Sequence, residues 1–495
     1  MTARYFAAAD LGASSGRVIL GRLEDGRFTL SETTRFPNGP VDGADGSIHT
    51  DAAGLFAHVR EGIEKAIEAS GGALESVGVD TWGVDYGRLG ADGELLESPF
   101  HYRDDRTNGV PELVFASLPA EQLYATAGLQ VMPFNTIFQL VAGRDDDWSR
   151  VSTVLLTPDL MSYWLCGRAV AEMTIASTTG LLDVAARTWS ASTCDHLASA
   201  YGLPVPRVLP ELVEPGTVLG ATTEGLFSRP VRVVAVGGHD TASAVASIPA
   251  GSADFAFVSS GTWSLVGLEL DEPVLTAASR EADFTNELGI DGTVRYLKNV
   301  MGLWVLSESI RTWKAAGRDV DLVPLLEAAA ALPGLACVLD MTDERLLPPG
   351  DMPARLREMA AETGQELPDD PAATCRCILD SLTLAYRRTI ERACRLAGRE
   401  VSVVHIVGGG CQNTLLCQLT AEATGLPVVA GPAEGTALGN LLVQARACGA
   451  IEGDRMALRQ VAIASSDLIT YTPGVLPFGP EQWAAAERRA YPGRA

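Results

Sequence analysis

The chain has 495 residues, 47% of them apolar, and a formal net charge of −24. That length exceeds one ordinary core and predicts two domains, while the acidic balance excludes a nucleic-acid binder or an anionic-membrane surface. Lysine occurs only at Lys65, Lys298 and Lys314, so an anionic ligand would have to be met by arginine, backbone N–H groups and a metal ion.

In chain order, an apolar run from Tyr5 to Ala9 leads into DLGASSGR, Asp10 to Arg17, and resumes with Val18 to Leu20 and then Phe28 to Phe36. This reads as strand, tight turn, strand. GASSG also fits the hydrolase pattern G-x-S-x-G with Ser14 as nucleophile, but that elbow turns into a helix and Arg17 to Leu23 reads as a strand. From Thr50 to Ser70 the apolar residues Leu55, Phe56, Val59, Ile63, Ala66 and Ile67 form a helical stripe, started by Thr50 or Asp51 and stopped by Gly71-Gly72. Val77 to Trp82 and Val84 to Leu89 follow as strands. TWGVDY, Thr81 to Tyr86, and FHYRDDRTNG, Phe100 to Gly109, carry the Trp, Asp, Arg and Asn that stack on and hydrogen-bond a sugar, a mixture that a surface hairpin and its loop also show. After a Pro- and Gly-rich stretch, Pro204 to Gly220, the strand Val231 to Val236 opens into GGHDTASAV. An acid there lies where open α/β sheets bind ligands, although Asp240 taken alone better suits a helix N-cap, and His239 taken alone a packed or hydrogen-bonded histidine.

Ile248 to Ser252 reads as a linker, beyond which the pattern restarts. Phe255 to Val258, SSGTWSL and Trp263 to Leu268 repeat the first hairpin. A strand near Val294 to Leu297, a helix carrying Leu303, Leu306, Ile310 and Trp313, and a long helix marked by Ile378 to Leu396 come next. Val401 to Val407 is a buried strand leading through VGGGCQNTLL into a helix, Thr414 to Thr424. Glycines followed by a helix start suit phosphate or a flat base. Strand and helix alternate throughout, which predicts an α/β fold. The P-loop Gly-Lys pair, HExxH and paired CxxC are absent, and Cys375-x-Cys377 sits in a helical stripe where residues two apart diverge. Two glycine-bearing hairpins make a polyphosphate the first ligand to test: their N–H and hydroxyl groups suit ATP, and Asp10 suits a water-coated Mg²⁺.

The nine cysteines, among them Cys166, Cys194, Cys337 and Cys448, form no spacing framework, so free thiols and a cytoplasmic location are expected. MTARYFAAAD is too short a run for a secretory core, and no apolar run reaches the roughly 18 residues of a membrane span.

Taken together, DLGASSGR, DTWGVDY, YRDDRTNG, MPFNTIFQL, HDTASAV, SSGTWSL, LKNVMGLW and VGGGCQNTLL resemble the FGGY carbohydrate kinase family over residues 5 to 445, and within it the members that phosphorylate L-rhamnulose. The resemblance implies two ribonuclease H-like domains of the actin-like ATPase kind around a central cleft, divided at 1–247 and 248–495. It implies transfer from ATP, with Mg²⁺, to the 1-hydroxyl of L-rhamnulose in L-rhamnose breakdown, by a monomer or small homo-oligomer. The matching positions place Ala13, Ser14, Ser15, Gly16, Arg17 and Thr262 at the ATP phosphates and Gly409 and Gly410 near the nucleotide. They place Trp82, Gly83, Arg103, His239, Asp240, Thr241 and Asn299 at the sugar, with Asp240 as catalytic base. Ser307 stands where relatives carry a glutamine that contacts ATP, and the cysteine pairs of some relatives have no counterparts. Kinases for L-fuculose or L-xylulose, and an actin-like ATPase coupling nucleotide state to a partner, are the alternative readings.

Overall fold

The computed structural model describes residues 3–493. They form two compact units: one takes the chain up to Gly251 with Glu269–Tyr296 and Gly435–Ser466, the other takes Ser252–Leu268, Leu297–Glu434 and the chain from Asp467 on. Ile248 to Ser252 contains no helix or strand, as a linker should.

The first unit is built on β1 (Arg4–Leu11), β2 (Ser15–Glu24), β3 (Arg27–Pro37), β4 (Leu74–Thr81), β5 (Val218–Ala221) and β6 (Arg232–Val234), in the order β5-β6-β4-β1-β2-β3. β1, β2 and β3 are an antiparallel meander, whereas β4 runs parallel to β1 and β6 parallel to β4. The unbroken apolar reading of β1 follows from burial on both faces. Ala7, Ala9 and Leu11 join the core of Val59, Ile63 and Ala66 from the helix Ala52–Ala69. Phe6 and Ala8 face Ala437, Leu438 and Leu441 of the helix Gly435–Ala447. The first helix starts where Asp51 accepts the Gly54 N–H at 2.9 Å and stops before Gly71 and Gly72, both at positive φ.

A second sheet repeats this plan with β7 (Phe255–Ser260), β8 (Trp263–Leu270), β9 (Val294–Met301), β10 (Val403–Val407), β11 (Val428–Ala430) and β12 (Ile469–Tyr471). Their order is β9-β8-β7-β10-β11-β12, with the strand Thr285–Leu288 at the edge beside β9, β7 antiparallel to β8 and parallel to β10, and β10 parallel to β11. The series β3-β2-β1-β4-β6 and β9-β8-β7-β10-β11 therefore correspond strand for strand, which is the duplicated hairpin seen in the sequence carried through the whole sheet.

Some expected strands shorten, Val401 to Val407 beginning only at Val403. The run Val84 to Leu89 becomes Tyr86–Leu89, because Val84 sits at φ 71° while the Asp85 N–H bonds back to the Gly83 carbonyl at 3.0 Å in a tight three-residue turn. The run Val231 to Val236 is regular only over Arg232–Val234. All nine cysteines are free thiols, and among the described residues no helix is long and apolar enough to cross a membrane.

Candidate active site

β1 and β4 run parallel with Asp10 and Asp80 side by side in register at their carboxyl ends. One strand further, Thr81 bridges to His239 and its N–H bonds the Gly238 carbonyl at 2.9 Å, which brings Asp240 to the same edge. Three carboxylates thus gather where parallel strands end and a helix begins. Asp10 is neutralised across the hairpin by Arg17, whose Nε and Nη2 donate to Oδ2 at 3.0 and 2.8 Å. Asp80 is 0% exposed; Asn440 donates to its Oδ2 at 2.6 Å, while Oδ1 is buried with no hydrogen-bond partner among the described residues. Burial, and then the neighbouring Asp10, push Asp80 well above the usual carboxylate range. Asp240 is also raised, by burial first and with Asp10 adding, against the opposing pull of His239.

The first-strand turn is tied down from behind. Gly12 donates to the Ser15 carbonyl at 3.0 Å, and Asn38 donates from its side chain to the Gly12 carbonyl at 2.6 Å and from its backbone to the Ser14 carbonyl at 3.2 Å. The carbonyls of this turn are thereby engaged within the protein, with Ser14 exposed and Ala13 and Ser15 half-buried at its tip.

Asp240 opens the helix Asp240–Ala246, with His239 rather than Asp240 in the N-cap position. The Asp240 Oδ1 accepts from the Thr241 N–H at 2.6 Å and the Thr241 hydroxyl at 3.1 Å, and it lies 3.4 Å from His239 Nε2. Among the described residues no donor meets Oδ2, and the side chain is 31% exposed. That is the arrangement a general base needs, oriented through one oxygen and open at the other. The backbone behind it is held by Glu172, a buried acid whose Oε2 accepts from the Gly238 N–H at 2.9 Å and from the Thr174 hydroxyl at 2.6 Å. Trp82 is buried and gives its indole N–H to Asp85 at 2.9 Å, so it shapes the Gly83 turn. Arg103 is exposed on a loop whose neighbours Tyr102 and Asp104 are buried, with its guanidinium 5.5 Å from the Tyr102 ring centroid.

In the second unit the hairpin turn is closed by the Gly261 N–H on the Trp263 carbonyl at 2.8 Å. The helix Trp304–Ala315 begins against it, since the N–H groups of Leu303 and Trp304 bond the carbonyls of Gly261 and Thr262, each at 3.1 Å. Asn299 is half-buried on β9, and Ser307 is exposed on the helix. Past β10 the chain forms a short 3₁₀ turn, Gly409–Gln412, before the helix Thr414–Thr424, whose start is capped by the Asn413 side chain on the Leu416 N–H. The direct glycine-to-helix junction expected from sequence is therefore replaced by a self-capped one. Gly410 packs so close to β7 that a Cβ there would lie 2.0 Å from the Ser260 hydroxyl, while Gly409 is exposed with open space above it.

Sequence reasoning missed Asp80, Glu172, Glu287, Arg295 and Asn440 as parts of the first unit's site. Asp80 was legible as the acid opening DTWGVDY; the other four occupy segments with no short motif, and only folding buries them.

Residues 5–247 match the family model for the N-terminal domain of the FGGY family of carbohydrate kinases, and residues 256–448 match its C-terminal domain. The chain is 40% identical over 477 residues to a rhamnulokinase of Bacteroides thetaiotaomicron, spanning 94% of this chain and 96% of that one. It is 42% identical over 481 residues to a rhamnulokinase of Pectobacterium carotovorum, spanning 96% and 94%. Among solved structures, a gluconate kinase from Lactobacillus acidophilus superposes with a TM-score of 0.78 at 16% identity, covering 99% of this chain and 96% of that one. A xylulose kinase from Rhodospirillum rubrum does so with 0.77 at 18%, covering 98% and 97%. Likeness at that identity speaks for the fold, which is the two-domain α/β architecture of actin-like sugar kinases expected from the motifs. With family matches in both halves and full-length relatives near 40% identity, the chain belongs to the FGGY family of carbohydrate kinases.

Proposed function

We infer that this chain transfers the γ-phosphoryl group of ATP to the 1-hydroxyl of L-rhamnulose, giving L-rhamnulose 1-phosphate and ADP. The observation that carries the reading is the 40–42% identity to rhamnulokinases along nearly the whole chain, and the local chemistry agrees with it. Asp240 Oδ2 takes the proton as the substrate oxygen bonds to the γ-phosphorus; the bond from that phosphorus to the β–γ bridging oxygen breaks, and ADP leaves with the electron pair. Such transfer is chiefly positioning and charge stabilisation, with the carboxylate orienting the hydroxyl. Thr241 holds the base through Oδ1, and His239 stands beside it as a sugar contact together with Gly83, Thr241 and Asn299. Trp82 supports the Gly83 turn, and Arg103 is retained as a contact from its loop.

Ala13, Ser14, Ser15, Gly16 and Arg17 of the first unit and Thr262, Gly409 and Gly410 of the second are the proposed partners of ATP. The mutual repulsion of Asp10, Asp80 and Asp240 fits a divalent cation. Among the described residues no three His, Cys, Asp or Glu side chains enclose a metal ion, so the fit is to Mg²⁺ held through water by Asp10, as this ion prefers. When bound, Mg²⁺ neutralises phosphate charge. We also read the chain as halves dividing at 247/248, working in the cytoplasm, where free thiols persist.

A coupled ADP assay over a panel of ketoses tests the substrate. L-Rhamnulose should give the highest kcat/KM, L-fuculose and L-xylulose lower values, and glycerol negligible turnover, because a site that hydrogen-bonds hydroxyls leaves buried polar groups unpaired with the wrong sugar. Faster use of L-fuculose or D-xylulose would overturn the choice of sugar and leave the kinase.

A further inference from the structure

The geometry points to Arg295 and Glu287 as a positioning pair that fixes the tautomer of His239 and turns its Nε2–H toward Asp240. This rests on Asp240 as the base, and it concerns residues outside every motif of the chain. Arg295 is 0% exposed. Its Nε donates to the Leu288 carbonyl at 3.1 Å, and both terminal nitrogens lie 3.2 Å from His239 Nδ1 with hydrogens directed at it. A guanidinium has no acceptor and keeps its charge in proteins. Two of its N–H groups facing Nδ1 therefore require a lone pair there, and in a neutral ring the proton must then reside on Nε2. Nε2 is the nitrogen 3.4 Å from Asp240 Oδ1.

Glu287 makes this arrangement possible. Its Oε2 lies 3.0 Å from Arg295 Nη1 and 3.0 Å from His239 Nδ1. Burial pushes Glu287 up, but Arg295 and then His239 outweigh it and hold the acid below the usual carboxylate range. The carboxylate thus offsets the charge of a fully buried guanidinium, which alone would be costly to bury. The opposite tautomer would direct an Nδ1–H at two arginine donors, and it would not serve the carboxylate either: among the described residues the buried Glu287 Oε2 meets no hydrogen-bond donor, so although it lies 3.0 Å from Nδ1 no N–H of the ring is aimed at it. The ring is also held by its backbone, since the His239 N–H bonds the Thr174 hydroxyl at 3.3 Å. The outcome is an imidazole whose Nε2–H faces the base's oriented oxygen across 3.4 Å and leaves Oδ2 to the substrate, in the way outer carboxylates set the ring orientation of histidines in metal sites.

The full-length protein labelled with ring ¹⁵N-histidine gives the first test. The His239 signals, assigned by their loss in His239→Gln, should show Nε2 protonated and Nδ1 bare at neutral pH; an Nδ1–H tautomer or an imidazolium there overturns the proposal. The second test is the double variant Glu287→Gln/Arg295→Gln, which removes both charges together. It should lose the fixed tautomer, lower kcat by about 10- to 100-fold as loss of outer partners does, and raise KM for the sugar while leaving KM for ATP unchanged. Retained kcat with a retained Nε2–H signature also overturns it. If the double variant does not fold, the wild-type spectrum still decides. Asp240→Asn, assayed in parallel, separates the two ideas: normal turnover in that variant removes the base, whereas the tautomer is read independently of catalysis.

Discussion

Asp240 differs from an ordinary aspartate at a helix start in where its donors fall. Thr241 occupies Oδ1, and the N-cap position belongs to His239, so the carboxylate is oriented without being consumed by the helix. Asp240→Asn keeps the size and the Oδ1 acceptor but removes the basic oxygen. Its kcat should drop by about 10² to 10⁴ with thermal stability near wild type, and near-normal kcat would exclude Asp240 as base. Burial, with Asp10 adding, raises Asp240 above the ordinary carboxylate range. The base must be ionised to act, so kcat/KM should fall as pH drops through that raised value, on the acid side, and the limb should vanish in Asp240→Asn. Asp10 has a different task. Arg17 fills its Oδ2, and the repulsion it shares with Asp80 and Asp240 is what a cation relieves. Asp10→Ala should therefore raise the Mg²⁺ concentration needed for half-maximal velocity far more than it raises KM for the sugar. An unchanged Mg²⁺ titration would remove Asp10 from the metal's surroundings.

The elements that carry these residues are held to tolerances set by backbone contact. The helix Gly435–Ala447 crosses the helix Asp240–Ala246 at Gly439, where a Cβ would lie 1.7 Å from the Ser243 carbonyl oxygen. A carbonyl in a helix cannot swing aside, so Gly439→Ala must push apart the two helices. The cost should be about 1–3 kcal/mol, as overpacking usually brings, read as a lowered thermal midpoint. kcat should fall with it because Asp240 rides on the displaced helix, and a variant with wild-type midpoint and kcat would show that the crossing has slack. This crossing was not legible in the sequence: a single glycine in a helical run carries no sign of what lies opposite. The hairpins were legible, because β1 and β7 are apolar on both faces and their turns are rich in Gly and Ser. The helix Thr414–Thr424 was readable to its ends, since Asn413 caps it and Gly425 closes it. Glu287 and Arg295 were not, because a lone charged residue on a strand reads as its solvent-facing side until the fold buries it against His239.

Across the molecule, several acids are buried without full compensation, and this ties stability to pH. Burial raises Asp85 and Glu172 in the first unit to about 7 and Asp380 in the second to about 6. In the unfolded chain these groups return to about 4. Below that pH both states hold the protons and nothing is lost. Between about 4 and about 7 the folded protein binds protons that the unfolded chain has released, so stability falls as pH rises through this window, and above it the loss is complete. Each group contributes at most about 1.4 kcal/mol per pH unit. Other carboxylates act in the opposite sense; burial also pushes Glu308 up, for example, but its hydrogen bonds to Arg311 and the Gly350 N–H outweigh that and hold it low. The clean measurement is therefore a difference. Asp85 accepts from the Trp82 indole at 2.9 Å, the Tyr102 N–H at 3.2 Å and Gln139 at 3.2 Å, contacts that an asparagine retains in part without a titrating proton. Asp85→Asn should start below wild type in thermal midpoint at acid pH, where the native acid is protonated, and gain on it steadily up to about pH 7, after which the two curves run parallel. Curves that stay parallel from pH 4 upward would mean that Asp85 titrates alike in the folded and unfolded chains, and that its burial imposes no proton linkage on the fold.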